Sequence, residues 1–153
     1  MSDSEEDEVI TARPEDRATV PPDPNAFIRI HIINEHQPEL AKSMKLYLET
    51  CTYSGRTPLI QSLGAMPGDI KQQLDIDLAI ISVDEFTDID WTIEALKLVY
   101  GDRTEFIFHT EYPNDLIESA IADSDARGLC IGYEFDRLRS LVQDVAALEP
   151  YTK

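Results

Sequence analysis

The chain has 153 residues, the usual size of one domain, and it is 42% hydrophobic and 28% charged, which is typical of a globular protein. Thirty Asp and Glu residues against thirteen Lys and Arg residues give a formal net charge of −17, which argues against direct binding to nucleic acid or anionic lipid. No apolar run approaches the roughly 20 residues that span a bilayer, so we expect no membrane insertion.

The first 24 residues differ in composition from the rest of the chain. They contain eight acidic residues, two arginines and four of the nine prolines, and few of their side chains could anchor to a core. We expect residues 1–25 to form a disordered leader, either a solvating segment or an acidic interaction tail, and residues 26–150 to form one domain. The start lacks the positive charge and apolar core of a signal peptide, which predicts a cytoplasmic protein.

The cysteines and histidines show no metal-ligand pattern. Cys51 and Cys130 are too few for a disulfide framework, and their apolar surroundings predict small buried residues in a reducing compartment. His36 and His109 are not spaced with them as zinc ligands. His31, inside the first apolar run, is expected to be a satisfied buried or edge histidine. We predict no metal centre of this kind.

Apolar, strand-like runs alternate along the chain with amphipathic helical patterns. The predicted strands cover residues 27–33, 58–63, 76–83, 105–109 and 129–131. The predicted helices cover residues 38–51, 69–74 (a weak pattern), 90–101 and 114–123, and a last one runs from Asp136 to the stop at Pro150. This order implies an α/β fold in which a parallel sheet has helices on both faces, because each crossover needs a covering helix.

Several details of the helices follow from the same patterns. Asp90 and Asp136 stand where N-cap residues are favoured. Leu116 and Leu148 fall on the apolar stripes of their helices, so both are expected to face the core. Trp91, near the start of its helix, is either an exposed aromatic that contacts a partner or a partly buried one.

Candidate site residues stand where predicted strands end, because ligands of such sheets collect beyond the carboxyl ends, where the strand order reverses. The residues at these ends are Asn34, Glu35 and His36, then Ser82, Asp84 and Glu85, then Thr110, and finally Gly132, Tyr133 and Glu134. The loop after the first strand has no glycine and carries a negative charge, so it does not suit a phosphate group. We therefore expect no cofactor.

Several short motifs follow one another in a set order: Gln-Pro-Glu-Leu-Ala at 37–41, Asp-Leu-Ala-Ile-Ile at 77–81, Thr110, Ala-Arg-Gly at 126–128 and Phe-Asp at 135–136. In this order they resemble the receiver domain of two-component response regulators. The resemblance covers about residues 27–148 and implies a flavodoxin-like (βα)5 three-layer sandwich, with a five-stranded parallel sheet in the order 2-1-3-4-5. It also implies that Thr110 and Tyr133 stand at positions that move together when a receiver switches, although both also fit ordinary strand ends.

The departures from the receiver pattern concern its chemistry. A receiver holds Mg²⁺ with two acids after its first strand, and here one carboxylate, Glu35, stands beside either Asn34 or His36. The position of the phosphorylated aspartate is Ser82, whose hydroxyl cannot form an acyl phosphate. The lysine that receivers carry after the fifth strand is missing, because no lysine occurs between Lys97 and the last residue. The sequence therefore predicts a pseudo-receiver that is neither phosphorylated nor an enzyme.

A pseudo-receiver is expected to bind protein partners in bacterial signal transduction or localisation. In receivers the fourth helix, fifth strand and fifth helix form the partner or dimer face, which by resemblance points to Asp115, Glu118, Tyr133, Arg137 and Arg139 and allows a homodimer. The receiver-like domains at the front of pilus-assembly localisation ATPases are similar, since they too begin with a polar leader and lack the acceptor aspartate. No ATPase domain follows here, which suggests a separated domain or a stand-alone adaptor.

Four alternatives remain open from the sequence. Asp84 points to the same side of an extended strand as Ser82, about 6–7 Å further along, and could serve as a shifted acceptor. Glu35 with Asp84 or Glu85 could bind a divalent ion weakly, although a solvated acidic rim explains them better. A freed pocket could sense a small molecule, and spaced carboxylates could mimic nucleic acid. Hydrolase chemistry at Ser82, with His36 or His109 as base, is disfavoured because no Gly-x-Ser-x-Gly surrounds it.

Overall fold

The computed structural model describes residues 26–65 and 75–148. Its strands are β1 (Phe27–Ile33), β2 (Thr57–Leu63), β3 (Leu78–Ser82), β4 (Glu105–Thr110) and β5 (Gly128–Ile131). Its helices are α1 (Pro38–Leu48), α2 (Ile89–Tyr100), α3 (Asp115–Ala122) and α4 (Phe135–Ala146). The predicted leader, 1–25, and the weak predicted helix, 69–74, lie outside the described residues. Thus α3 and α4 occupy the places of the fourth and fifth helices of a (βα)5 chain.

All five strands are parallel and form one sheet in the order β2-β1-β3-β4-β5, which confirms the predicted fold. From β1 the chain passes to β2 on one side, and β3, β4 and β5 are added on the other. The strand order therefore reverses between β1 and β3. Register pairs bring Ile33 beside Ile81 and Ser82 beside His109, so the carboxyl ends of these strands are level with one another.

The core has one layer on each face of the sheet, because both faces of the central strands are apolar and covered. On one face α1 and α4 pack over a cluster that includes Ile28, Ile30 and Ile32 of β1. On the other, α2 and α3 pack over a second cluster that includes Ile33, Ala79 and Ile81. The alternation of β1 and β3 residues between the two clusters is the two-residue period of a strand.

His31 is buried, as expected, and its ring Nδ1 lies 2.8 Å from the hydroxyl oxygen of Tyr100 on α2. Burial lowers the pKa of His31, and the nearby charge of Asp75 offsets this in part. Cys130 is fully buried, and burial raises its pKa to about 11. Cys51 is only half-buried, in contrast to the expectation, and both cysteines are free thiols.

The helix starts differ from the predicted ones. The α2 helix is capped by Asp88, whose side chain accepts a hydrogen bond from the backbone N–H of Trp91, so the prediction of Asp90 as cap is wrong. Asp136 does not cap α4 either, because it lies in the first turn and accepts a hydrogen bond from the Tyr47 hydroxyl of α1. That bond ties α4 to α1.

Two leucines predicted in the core are exposed. Leu116 is 84% exposed, because the short helix α3 buries only Ile117 and Ile121 against the sheet. Leu148 lies beyond the end of α4, which stops at Ala146, and is 36% exposed. Among the helices of the described segments, none has the length and apolarity that crossing a bilayer would require.

Candidate functional site

A chain of side-chain hydrogen bonds joins the carboxyl ends of four strands. Asn34 Nδ2, just after β1, donates to Ser82 Oγ at the end of β3 over 3.1 Å. Ser82 Oγ lies 3.0 Å from Nδ1 of His109 in β4. The other ring nitrogen of His109, Nε2, lies 2.9 Å from the carbonyl oxygen of Gly132 after β5. We call this set, Asn34, Ser82, His109 and Gly132, the strand-end chain.

The direction of each bond in the strand-end chain follows from its partners. The Gly132 carbonyl can only accept, so His109 Nε2 carries the proton and Nδ1 accepts from the Ser82 hydroxyl. His109 is fully buried, and this burial lowers its pKa, while the bond to Gly132 and the charge of Glu111 act in the opposite sense. The imidazole is therefore neutral at pH 7, and the strand-end chain carries no charge.

Asn34 also shapes the turn that leads into α1. Its Oδ1 accepts hydrogen bonds from the backbone N–H groups of Gln37 and His36, at 2.8 and 3.2 Å. The next residue, Pro38, has no N–H to satisfy and suits the first turn of a helix. Asn34 is buried, whereas Glu35 and His36 point outward as exposed residues. Of the three candidates after β1, only Asn34 reaches Ser82.

Ser82 and His109 form the donor–acceptor pair of a serine nucleophile and its base, as one sequence alternative required, but the surroundings do not support acyl transfer. The backbone N–H of Val83 is used by the carbonyl oxygen of His109, at 2.8 Å. The N–H of Asp84 is used by the Thr87 hydroxyl, at 3.0 Å. The two residues after Ser82 thus offer no spare donor for an oxyanion, whose stabilisation usually contributes most to the rate of such reactions.

Asp84 forms the turn between β3 and α2. Its Oδ1 accepts hydrogen bonds from the backbone N–H of Phe86 at 2.9 Å and from the Thr87 hydroxyl at 3.0 Å. These bonds hold the carboxylate within its own loop, and give it a local structural role. In the described segments no three His, Cys, Asp or Glu side chains stand together as a metal site. Glu35 and Asp84 nevertheless border the same cleft.

That cleft, of about 270 Å³, lies over the carboxyl ends of β1 and β3, where the strand order reverses. Its position is the one expected for a ligand site in this fold. We call it the switch-point cleft. Its lining residues are Ile33, Glu35, His36, Ile81, Ser82, Val83, Asp84, Thr87, Asp88, Trp91 and Thr92.

Thr110 and Tyr133 occupy different environments. Thr110 is buried, and its Oγ1 accepts a hydrogen bond of 3.3 Å from the backbone N–H of Tyr112. Tyr133 is 69% exposed, and its ring packs on that of Phe135, with the centroids 5.7 Å apart. The backbones of the two strand ends are linked, because the Gly132 N–H donates to the Thr110 carbonyl. A side-chain contact between Thr110 and Tyr133 is not seen.

The residues predicted for the interaction face do not all lie on one surface. Asp115 and Glu118 are exposed on α3, and Arg137 of α4 is fastened to β5 by a 2.8 Å bond from its Nε to the Leu129 carbonyl. Arg139 lies elsewhere. Its guanidinium stands 4.3 Å above the centre of the Tyr47 ring of α1, because a step of two residues turns a helix by about 200°. Arg139 therefore packs between α4 and α1 and does not belong to the face.

Two apolar side chains that the sequence does not single out are exposed in the segment that follows β4. Tyr112, in the loop after β4, is 71% exposed, and Leu116 in the first turn of α3 is 84% exposed. Tyr133 follows β5, the neighbouring strand. We call Tyr112, Leu116 and Tyr133 the apolar edge patch. The sequence signal for it is the shortness of the helix after Asn114, which cannot bury a wide stripe.

Comparisons with known proteins give structural neighbours only. No protein-family model matches the chain, and no curated protein does. A pilus assembly-related protein from Burkholderia pseudomallei has 15% identity and a TM-score of 0.59 over 80% of this chain and 92% of its own. The pilus assembly protein CpaE2 from Sinorhizobium meliloti has 9% identity and a TM-score of 0.54 over 77% of this chain and 99% of its own. The chain is similar to both in fold, and its sheet fits a receiver domain.

Proposed function

We propose that the chain is a receiver-like domain that works without phosphoryl chemistry and without enzymatic activity, as a cytoplasmic protein-interaction module in bacterial signalling or pilus assembly. The observation that carries this proposal is that Ser82, which the resemblance aligns with the acceptor position, is held by Asn34 and His109 at 3.1 and 3.0 Å. A hydroxyl in this place cannot become an acyl phosphate. The bonds that hold it are neutral, so the four strand ends are joined without a metal or a phosphoryl group.

The apolar edge patch supports the interaction role. Aromatic side chains are enriched in the centres of protein interfaces, and Tyr112, Leu116 and Tyr133 leave most of their surface in water. Charged side chains border them, since Asp115 and Glu118 are exposed on the same helix as Leu116. An apolar centre with a polar rim is the usual plan of a protein interface. The module binds its partner, or a second copy, through this patch.

The two structural neighbours give the proposal its cellular setting. Both are named as pilus assembly proteins, and this chain aligns with 92% and 99% of their solved chains. We infer a role in the same kind of assembly, at the level of a docking or localising factor.

The absence of phosphoryl chemistry is tested by intact mass. After incubation with acetyl phosphate and Mg²⁺, we expect no phosphorylated species of the protein, because position 82 has no carboxylate and Asp84 is held within its turn. A receiver with all its site residues serves as the positive control. A phosphoryl adduct that disappears in Asp84→Asn would overturn the proposal and establish Asp84 as a shifted acceptor.

The interaction face is tested by sedimentation velocity. We expect the protein to self-associate weakly, as interfaces at the low end of the size range do, and Leu116→Asp to shift it to the monomer, because a carboxylate there opposes burial of the patch. The matched control is Leu98→Asp on α2, since Leu98 is also exposed, at 73%, but lies outside the patch. If both variants behave alike, or if the unmodified protein stays monomeric at all concentrations, the patch is not a homodimer face.

A further inference from the structure

We propose that the switch-point cleft is a second docking site, which receives an arginine side chain from a segment of a partner protein. This inference deepens the proposed function and rests on it, because it names the chemistry of a partner. The cleft lies at β1 and β3, whereas the apolar edge patch follows β4 and β5. The two sites can therefore be tested separately.

The shape of the cleft suits one long side chain. Its volume of about 270 Å³ is below the range of roughly 300–1,000 Å³ that drug-sized ligands occupy. Ile33, Ile81 and Val83 give it apolar lining, against which the methylene stem of an arginine can pack.

Trp91 forms the aromatic wall of the cleft. It stands in the first turn of α2, and 66% of its surface is exposed. Tryptophan is the best aromatic partner for a cation, and arginine is the cation most often found over such a ring, because the planar guanidinium can stack on it. An indole left this open is ready for such a contact. Phe86, in the preceding turn, is 85% exposed but is not part of the lining.

The charge of the cleft selects a cation. Glu35, Asp84 and Asp88 border it, and its described lining contains no Lys or Arg. The chain as a whole carries a net charge of −17, so the field around it draws basic segments. The start of α2 does not reverse this preference, because Asp88 already takes the Trp91 N–H and Asp90 adds a second negative charge in the first turn.

The same contacts limit the oxygen ligands that a metal ion would find in the cleft. The carboxylates of Asp84 and Asp88 each use Oδ1 to accept a backbone N–H bond, from Phe86 and Trp91, which leaves each of them one oxygen, Oδ2, for a cation. Glu35 is exposed and is the carboxylate that a guanidinium can approach as an ion pair. A guanidinium needs only one such partner when its face rests on an indole.

The test uses the fluorescence of Trp91, which is the sole tryptophan of the chain. The protein is titrated, at physiological salt, with a short peptide of arginine and glycine, and with the same peptide in which neutral citrulline replaces arginine. We expect a saturable change in tryptophan emission with the arginine peptide and none with the citrulline peptide. Glu35→Gln should weaken binding about fivefold, the scale of one partly screened ion pair.

The matched control is Glu49→Gln, which removes the same charge from an exposed position just after α1. It should leave the titration unchanged. Equal weakening by both variants, an equal response to citrulline or no change in emission would each overturn the proposal. Leu116→Asp separates the two sites, because loss of self-association with an unchanged arginine titration shows that each works alone. A failed titration with self-association intact rejects the cleft and leaves the edge patch standing.

Discussion

Replacing His109 with alanine is expected to lower the free energy of unfolding by about 3–5 kcal/mol, measured by urea denaturation. His109 is fully buried and bridges Ser82 and Gly132. Alanine would leave the Ser82 hydroxyl and the Gly132 carbonyl without this partner and would open a cavity where the ring stood. Ser82 and Gly132 are only partly buried, so each lost hydrogen bond costs about 1 kcal/mol, and the cavity left by the buried ring accounts for the larger part of the loss.

His36→Ala is the matched control for this variant. His36 is exposed and stands two residues from Asn34, so its removal should change the free energy of unfolding by no more than about 0.5 kcal/mol. Ser82→Ala removes the middle of the strand-end chain, and combined with His109→Ala it should cost less than the sum of the two. A loss below about 1 kcal/mol in His109→Ala, or full additivity with Ser82→Ala, would show that the strand-end chain is not a unit.

The stability of the protein is expected to fall as the pH drops from 7 towards 5. Burial lowers the pKa values of His31 and His109 below their ordinary 6.5 in the folded state. Below pH 6.5 the unfolded protein therefore binds more protons than the folded protein, and the free energy of unfolding decreases. The free energy of unfolding keeps its full value above pH 6.5, as far as these two histidines are concerned. It decreases as the pH falls and becomes constant again below the pKa values of the folded state.

Denaturant melts at half-unit pH steps measure this effect. Each histidine contributes a slope of at most about 1.4 kcal/mol per pH unit. His109→Gln should lower this slope, because only His31 then contributes to it. A flat profile between pH 7 and 5, or a slope that survives in the double variant of His31 and His109 to glutamine, would contradict the assignment. This range lies above the ordinary pKa values of Asp and Glu, near 4.

The order of the elements could be predicted because it depends on local pattern. The apolar run predicts a buried parallel strand, and the structure has that strand, β1, at Phe27–Ile33. The loop that follows it has no glycine, which argues against a phosphate-binding loop. The caps are harder to predict. Asp88 and Asp90 are both acceptable N-caps, and only the backbone conformation of residue 88, with φ −83° and ψ 103°, decides between them.

The sequence predicts which residues lie at the candidate site but not which of them are hydrogen-bonded to one another. Strand ends place Asn34 and Ser82 at one edge, but their hydrogen bond depends on a register that pairs Ile33 with Ile81. The sequence offers His109 only as a remote base, although the same register sets it beside Ser82. The prediction groups Arg137 with Arg139, whereas the structure places the two side chains on different sides of the helix. Helical geometry turns Arg137 towards β5 and Arg139 towards α1.

The arrangement of β1 between β2 and β3 also constrains how the chain folds. Asn34 and Ser82, which meet at the strand ends, are 48 residues apart in the sequence. A contact of that range closes a long loop, and the entropy cost of closing the loop comes before the stabilisation that strand pairing provides. The β1-α1-β2 segment can form from nearer contacts and then serve as the template on which β3 docks. We therefore expect the docking of β3 to be the rate-limiting step of folding. Rapid mixing should give a folding rate in the slow range of parallel sheets rather than in that of helical bundles.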